Sequence, residues 1–231
     1  MKAAVCREFN KPLQIEDITI AQPQEGEVRV KLAACAICHS DITYMDGGWG
    51  GTLPLVLGHE AAGVVVETGT GVRNIQVGDH VLVTLIRSCG HCADCENGEP
   101  FICSTFFPID VDSRLTSEKG EKVGQGLHTG AFAEEVVVDQ SQLVTLPKDF
   151  PLDAASLLSC GVITGLGAVV NTAEVEYGSS VVVIGCGGVG LNAVQGAALV
   201  NAAPIIALDL VEEKLPAAGE FGREEGLVQA F

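Results

Sequence analysis

The sequence predicts a mixed α/β chain: a strand-rich barrel or sandwich over residues 1–150, then the opening of a parallel sheet over residues 151–231. Three observations carry this. Short Val-rich runs with glycine turns recur in the first part. Pro147 and Pro151 punctuate the junction. A strand, a glycine turn, a helix and a second strand then follow in order. The 28 glycines suit tight turns better than a helical bundle. Aromatics are scarce at 5%, so the core falls to Val, Ile, Leu and Ala.

Taken along the chain, Glu27–Leu32 alternates polar and apolar residues, as a half-buried strand does. Ala61–Glu67, His80–Leu85 and Phe132–Val138 are short apolar runs expected as buried strands, and the Gly78-Asp79 turn leads into His80–Leu85. Asp110–Gly130 is polar and glycine-containing and is expected as a surface loop. Leu152–Val170 has helical spacing. Ser180–Ile184 reads as an apolar strand, Gly185–Gly190 as a turn, Leu191–Val200 as a helix and Pro204–Leu210 as the next strand.

Charge narrows the function classes. A formal net charge of -17 repels phosphate backbones, which argues against a nucleic-acid partner and is otherwise read as an aid to solubility. Met1–Asn10 places Lys2, Arg7 and Glu8 where a leader peptide needs apolar residues, and no run of membrane-spanning length is free of polar residues. A soluble, cytoplasmic chain without a membrane partner is therefore expected. Nine cysteines in such a reducing setting point to metal ligands rather than disulfides, and an odd number cannot pair completely.

Cys89, Cys92, Cys95 and Cys103 form C-x2-C-x2-C-x7-C. Four thiolates close a tetrahedral zinc site with no open position, which holds a loop rather than performing chemistry. An iron–sulfur cluster is the competing reading. A second set is scattered: Cys38-His39-Ser40-Asp41, Gly58-His59-Glu60 and the distant Cys160. One histidine and two cysteines can hold a zinc that keeps a position free for substrate. Singly, each is more often a buried cysteine or a hydrogen-bonded core histidine than a ligand. Cys6, Cys35 and Cys186 are read as ordinary small apolar residues.

Val181–Ile184 runs into Gly185-Cys186-Gly187-Gly188-Val189-Gly190, a GxGxxG turn between a strand and a helix. Gly185 makes the tight turn, Gly187 admits a pyrophosphate, and Gly190 lets helix and strand approach, with the helix N-terminus facing the phosphates. Asp209 ends the next strand, where an acid accepts the adenosine ribose hydroxyls and repels a 2′-phosphate, favouring NAD over NADP. An ordinary strand-end carboxylate is the competing reading.

Together these residues closely resemble the zinc-containing, medium-chain alcohol dehydrogenase family, from about residue 1 to Lys214. The Gly58–Glu60 tripeptide, the four-cysteine lobe, Leu158–Gly161 followed by Thr164-Gly165, and the glycine turn carry the resemblance. It implies a GroES-like β-barrel catalytic domain over 1–150, with a structural zinc lobe at about 88–104, and a partial Rossmann-type dinucleotide-binding domain over 151–231. It implies that Cys38, His59 and Cys160 ligate a catalytic zinc. Glu60 is the acid near that zinc, and Asp41 orients the histidine ligand. Ser40 takes the substrate proton, and His39 contacts the cofactor pyrophosphate, which the backbone of Gly187, Gly188 and Val189 also approaches. Lys214 approaches the adenosine ribose. Thr43 stands where some members end a proton relay with histidine, so the relay here is shorter or runs through water. Trp49 and Leu85 resemble substrate-pocket positions. The implied reaction is hydride transfer between an alcohol/aldehyde pair and NAD.

Against that family the chain stops early, at Phe231, before the remaining strands of the nucleotide sheet and the usual dimer strand. A truncated or frame-shifted product, or one part of a longer protein, is expected, with hydride transfer impaired and homo-oligomerisation lacking its usual strand. A catalytically inactive zinc-binding fragment or assembly partner is the second reading. A zinc-free quinone reductase, which needs neither cysteine set, is the third.

Overall fold

The computed structural model describes residues 1–222 and 227–230. They form two compact units, Met1–Ser159 and Cys160–Phe231. The division falls later than the expected 150/151 boundary. The helix after Pro151 packs on strands of the first unit, so the proline pair marks a turn inside that unit.

The first unit has ten strands: β1 (Lys2–Cys6), β2 (Gln14–Ile20), β3 (Glu27–Ala36), β4 (Leu55–Val56), β5 (Glu60–Thr68), β6 (His80–Val83), β7 (Leu115–Ser117), β8 (Lys122–Gln125), β9 (Glu135–Asp139) and β10 (Leu143–Leu146). Strands β1-β2-β7-β8-β4 close into a barrel, and β10-β6-β5-β3-β9 form a five-stranded sheet. Val28 and Val30 of β3, Val65 of β5, Val81 and Val83 of β6, and Val136 and Val138 of β9 share one core, as their alternation requires. Val137 points the other way and is also buried, against Phe107 and Ile109. This double burial explains why β9 reads as a continuous apolar run.

The expected loop at 110–130 is corrected by the structure. It contains the antiparallel pair β7 and β8, and Leu115 and Val123 join the barrel core. Not all of its polar residues face solvent: buried Arg114 makes two bonds, of 2.6 and 2.8 Å, to buried Glu27 at the start of β3. A bidentate pair shielded in this way is costly to break from one side. Polarity alone therefore misread a barrel hairpin as a surface loop.

Short helices connect these strands: α1 (His39–Met45) after β3, α2 (Ala93–Glu96) in the cysteine lobe, and α3 (Leu152–Ser156), which lies on β3 and β5. The helical spacing predicted over Leu152–Val170 is broken. The chain turns through Leu157–Ser159 and leaves helical geometry at Cys160 (φ -147, ψ -71) before α4 (Gly161–Gly167).

The second unit holds β11 (Val181–Ile184), α5 (Gly188–Leu199), β12 (Ile205–Leu208), α6 (Leu215–Gly222) and β13 (Leu227–Ala230), with all three strands parallel in the order β11-β12-β13. Val183, Val194, Ala197, Ile205, Ala207 and Leu215 build its core. On β11, Val182 and Ile184 alternate away from that core and are exposed. Helix α5 begins at Gly188, earlier than the expected Leu191, because the glycine turn itself supplies its first residues. Among the described residues no single helix is long and apolar enough to cross a membrane.

Candidate functional site

In the first unit, β3 delivers the chain to Cys38, α1 starts at His39, and the end of β4 runs through Leu57 and Gly58 into His59, just before β5. Asp41, fully buried on the first turn of α1, joins these pieces. Its Oδ2 accepts from the Cys38 backbone N–H at 3.0 Å. Its Oδ1 accepts from the Gly58 N–H at 2.9 Å and lies 3.2 Å from His59 Nδ1. With the carboxylate as acceptor, Nδ1 is the donor, and His59 Nε2 keeps its lone pair for a ligand. Gly58 is required here: its φ is +90°, and a Cβ would lie 2.7 Å from the Phe132 nitrogen.

The result is a convergent donor set. Cys38, His59 and Glu60 each present a ligand atom within 4.8 Å of the others, with His59 and Glu60 buried. Thiolate, imidazole and carboxylate in this mixture suit zinc. Ser40 is half-buried and His39 exposed on the first turn of α1. The Thr43 hydroxyl donates to the His39 carbonyl at 3.1 Å. Cys160 opens the second unit, one peptide bond beyond Ser159, whose carbonyl accepts from the Thr84 hydroxyl at 3.0 Å.

The four lobe cysteines also come together, their sulfurs all within 4.8 Å. Four thiolates at the usual zinc–sulfur distance of about 2.3 Å form a tetrahedron with edges of about 3.8 Å. Cys92 and Cys103 sulfurs are 3.7 Å apart, so the lobe fits the ion. Cys89 Sγ accepts from the Thr105 hydroxyl (2.9 Å) and from the N–H groups of Cys92 (3.2 Å) and His91 (3.4 Å). These donors, Thr105 foremost, bring its pKa down to about 6, and the Cys95 backbone N–H lowers Cys92 as well. Cys95 in the same lobe is instead raised to about 11 by burial, as are the cysteines read as ordinary apolar residues. Burial pushes Cys35 up to about 12 and raises Cys6 and Cys186.

A cavity of about 470 Å³ lies in the first unit, bounded by Tyr44, Leu55, Leu85, Ile109, Gln125 and His128 among others. Trp49 is half-exposed and meets Tyr44 edge-on at 6.1 Å. Burial, aided by the charge of Arg87, lowers the His128 pKa, and Asp110 on the same wall is paired with Arg87.

In the second unit, a Cβ on Gly187 or Gly188 would meet nothing within 4 Å, whereas one on Gly190 would lie 1.7 Å from the Gly185 carbonyl oxygen. The turn is thus open at Gly187 and Gly188 and closed where helix and turn touch at Gly190, a shape that fits a dinucleotide. Asp209 accepts from the Cys186 N–H (2.7 Å) and the Val211 N–H (2.9 Å), and Lys214 Nζ stands 3.6 Å from it. Both carboxylate oxygens retain lone pairs for further donors.

Sequence reasoning missed Thr84 and Gln142. Neither sits in a recognisable spacing, and only the fold brings them to the strand end before Leu85.

Residues 24–148 match the alcohol dehydrogenase GroES-like domain family. The chain is 40% identical to alcohol dehydrogenase-like 7 of Arabidopsis thaliana, over 97% of this chain and 60% of that protein. It is 41% identical to alcohol dehydrogenase class-3 of Zea mays, over 97% and 61%. The crystal structure of an alcohol dehydrogenase zinc-binding domain protein from Burkholderia ambifaria superposes with a TM-score of 0.92 at 36% identity, covering 100% of this chain and 63% of that one. The chain thus spans about three-fifths of the curated relatives it matches. Half of its length falls within the family's own domain, and that domain carries the Cys38–His59 convergence, so the chain belongs to the zinc-type medium-chain alcohol dehydrogenases.

Proposed function

We propose that the chain serves zinc-dependent alcohol oxidation, by hydride transfer between an alcohol/aldehyde pair and NAD. The observation that carries this reading is buried Asp41 binding Cys38, Gly58 and His59 at once, which leaves a cysteine sulfur and a histidine Nε2 free to converge. Cys38, His59 and Cys160 would hold the catalytic zinc with Glu60 beside it, and Cys89, Cys92, Cys95 and Cys103 would hold the structural one. When bound, the catalytic ion supplies the Lewis-acid polarisation that eases loss of a hydroxyl proton.

The chain's own residues supply the rest. Ser40 takes the alcohol proton and passes it outward. Thr43 is already committed to the His39 carbonyl, so beyond Ser40 the proton leaves through water. The cavity beside Leu55, Leu85 and Ile109 receives the hydrocarbon part of the alcohol. On its wall Asp110 is paired with Arg87 and His128 has a lowered pKa, which favours an uncharged substrate. In the second unit, Gly187, Gly188 and Val189 present backbone to the pyrophosphate at the start of α5, and His39 supplies a further contact. Asp209 and Lys214 address the adenosine ribose.

Metal analysis of the full chain combined with alcohol-dependent NAD reduction tests the reading. Two zinc ions per chain together with NAD binding support it; a chain that binds no zinc, or zinc without NAD, contradicts it.

A further inference from the structure

Thr84 follows the last residue of β6, one residue past the Val83–Ala61 pair near the start of β5. Its hydroxyl makes two bonds. It donates to the Ser159 carbonyl at 3.0 Å and accepts from the Ile86 N–H at 3.3 Å. Its backbone is clamped by Gln142, a fully buried residue. The Thr84 N–H donates to the Gln142 carbonyl at 3.0 Å, and Gln142 Nε2 donates to the Thr84 carbonyl at 2.8 Å. The same Nε2 reaches the His128 carbonyl at 3.2 Å, and Gln142 Oε1 accepts from the Asp139 N–H at 3.3 Å. Thr84 is therefore a fixed point.

The Ser159 carbonyl belongs to the peptide plane that also contains the nitrogen and Cα of Cys160. Holding that oxygen sets where the Cys160 Cα emerges. On its other side Cys160, itself outside helical geometry, caps α4, its carbonyl accepting from the Thr164 N–H at 2.9 Å. Ser159 is buried, and its own hydroxyl is turned back to the Ser156 carbonyl at 2.6 Å. The bond to Ile86 likewise shapes the turn that carries Leu85 into the cavity wall.

The geometry points to Thr84 as the positioning residue for Cys160: its hydroxyl, braced by Gln142, aims the third zinc ligand and the adjoining pocket turn. This rests on the reading of Cys160 as a ligand. Thr84 touches neither metal nor substrate; it acts through Ser159.

The test uses the full chain with cobalt(II) in place of zinc, followed by visible absorption and by release to a chromogenic chelator, in Thr84→Val, Thr84→Ser and Cys160→Ala. Thr84→Val keeps the side-chain shape and removes the hydroxyl. It is expected to hold one of the two metals about 10- to 100-fold more weakly, as loss of a residue that orients a ligand does. The absorption of that cobalt changes, while the four-thiolate lobe keeps its spectrum and serves as the control for folding. Thr84→Ser restores the parent behaviour. Three results overturn the inference: a Thr84→Val chain with parent spectrum and release, equal weakening of both metals, or a Thr84→Ser chain as impaired as Thr84→Val. Cys160→Ala separates the two levels. If it too keeps the parent spectrum, the ligand reading itself fails; if it alters the spectrum while Thr84→Val does not, only the role of Thr84 falls.

Discussion

Asp41 has the most consequential single side chain in the first unit, because three donors depend on its two oxygens. Asp41→Asn sets an amide N–H against one of those donors and weakens the hold on His59 Nδ1. It is expected to lower metal affinity at the Cys38–His59 centre by about 10- to 100-fold, with the lobe metal retained, as read by chelator competition. Equal loss from both centres would instead mark Asp41 as a general folding residue. Parts of this centre were legible in the sequence. The family resemblance, rather than any spacing, named Cys38, His59 and Asp41, because His59 lies too far from the other two in sequence for a local pattern to join them. Thr84 and Gln142 were not legible, because a hydrogen bond from Thr84 to Ser159 depends on which strand ends meet, and no local spacing encodes that. The polarity of Arg114 and Glu27 likewise concealed a buried ion pair, which burial alone reveals.

At the scale of elements, the β11–turn–α5–β12 unit depends on Asp209, which ties the glycine turn to the residues after β12. The N–H groups of Val211 and Cys186, with Lys214 nearby, hold its carboxyl below the usual range. A depressed folded-state pKa contributes stability above the unfolded value of about 3.9, and that stability is lost as pH falls through the lower folded value. The protection of the β11 and β12 amides against hydrogen exchange, measured relative to the unfolded-chain rate at the same pH, should therefore fall on acidification below that unfolded value. Asp209→Asn should flatten this acid response and leave the pH dependence above it unchanged. An acid response that persists undiminished in the variant would assign it to other groups. Here the sequence was read well: GxGxxG followed by an acid at the next strand end has a fixed geometry, and the structure differs mainly in starting α5 at Gly188. Residues 110–130 were misread for the opposite reason. Strands as short as β7 and β8 have too few residues to show alternation, and closure of the barrel, not local pattern, makes them strands.

For the whole molecule, a net charge of -17 on 231 residues makes self-repulsion a general destabilising term. Monovalent salt shortens the screening length to about 8 Å at physiological ionic strength. The thermal midpoint should accordingly rise between low and physiological salt in calorimetry; a fall would mean that ion pairs such as Arg7–Glu16 and Arg29–Glu135 outweigh the repulsion. The proposed function rests on a more specific claim, that two chemically distinct metal centres coexist, the proposed four-thiolate one and the proposed one on Cys38, His59 and Cys160. Anomalous diffraction at the zinc edge from crystals of the zinc-loaded chain tests this most directly. Two peaks are predicted: one inside the lobe and one at bonding distance, about 2.0–2.3 Å, from Cys38 Sγ, His59 Nε2 and Cys160 Sγ. A single peak, confined to the lobe, would contradict it.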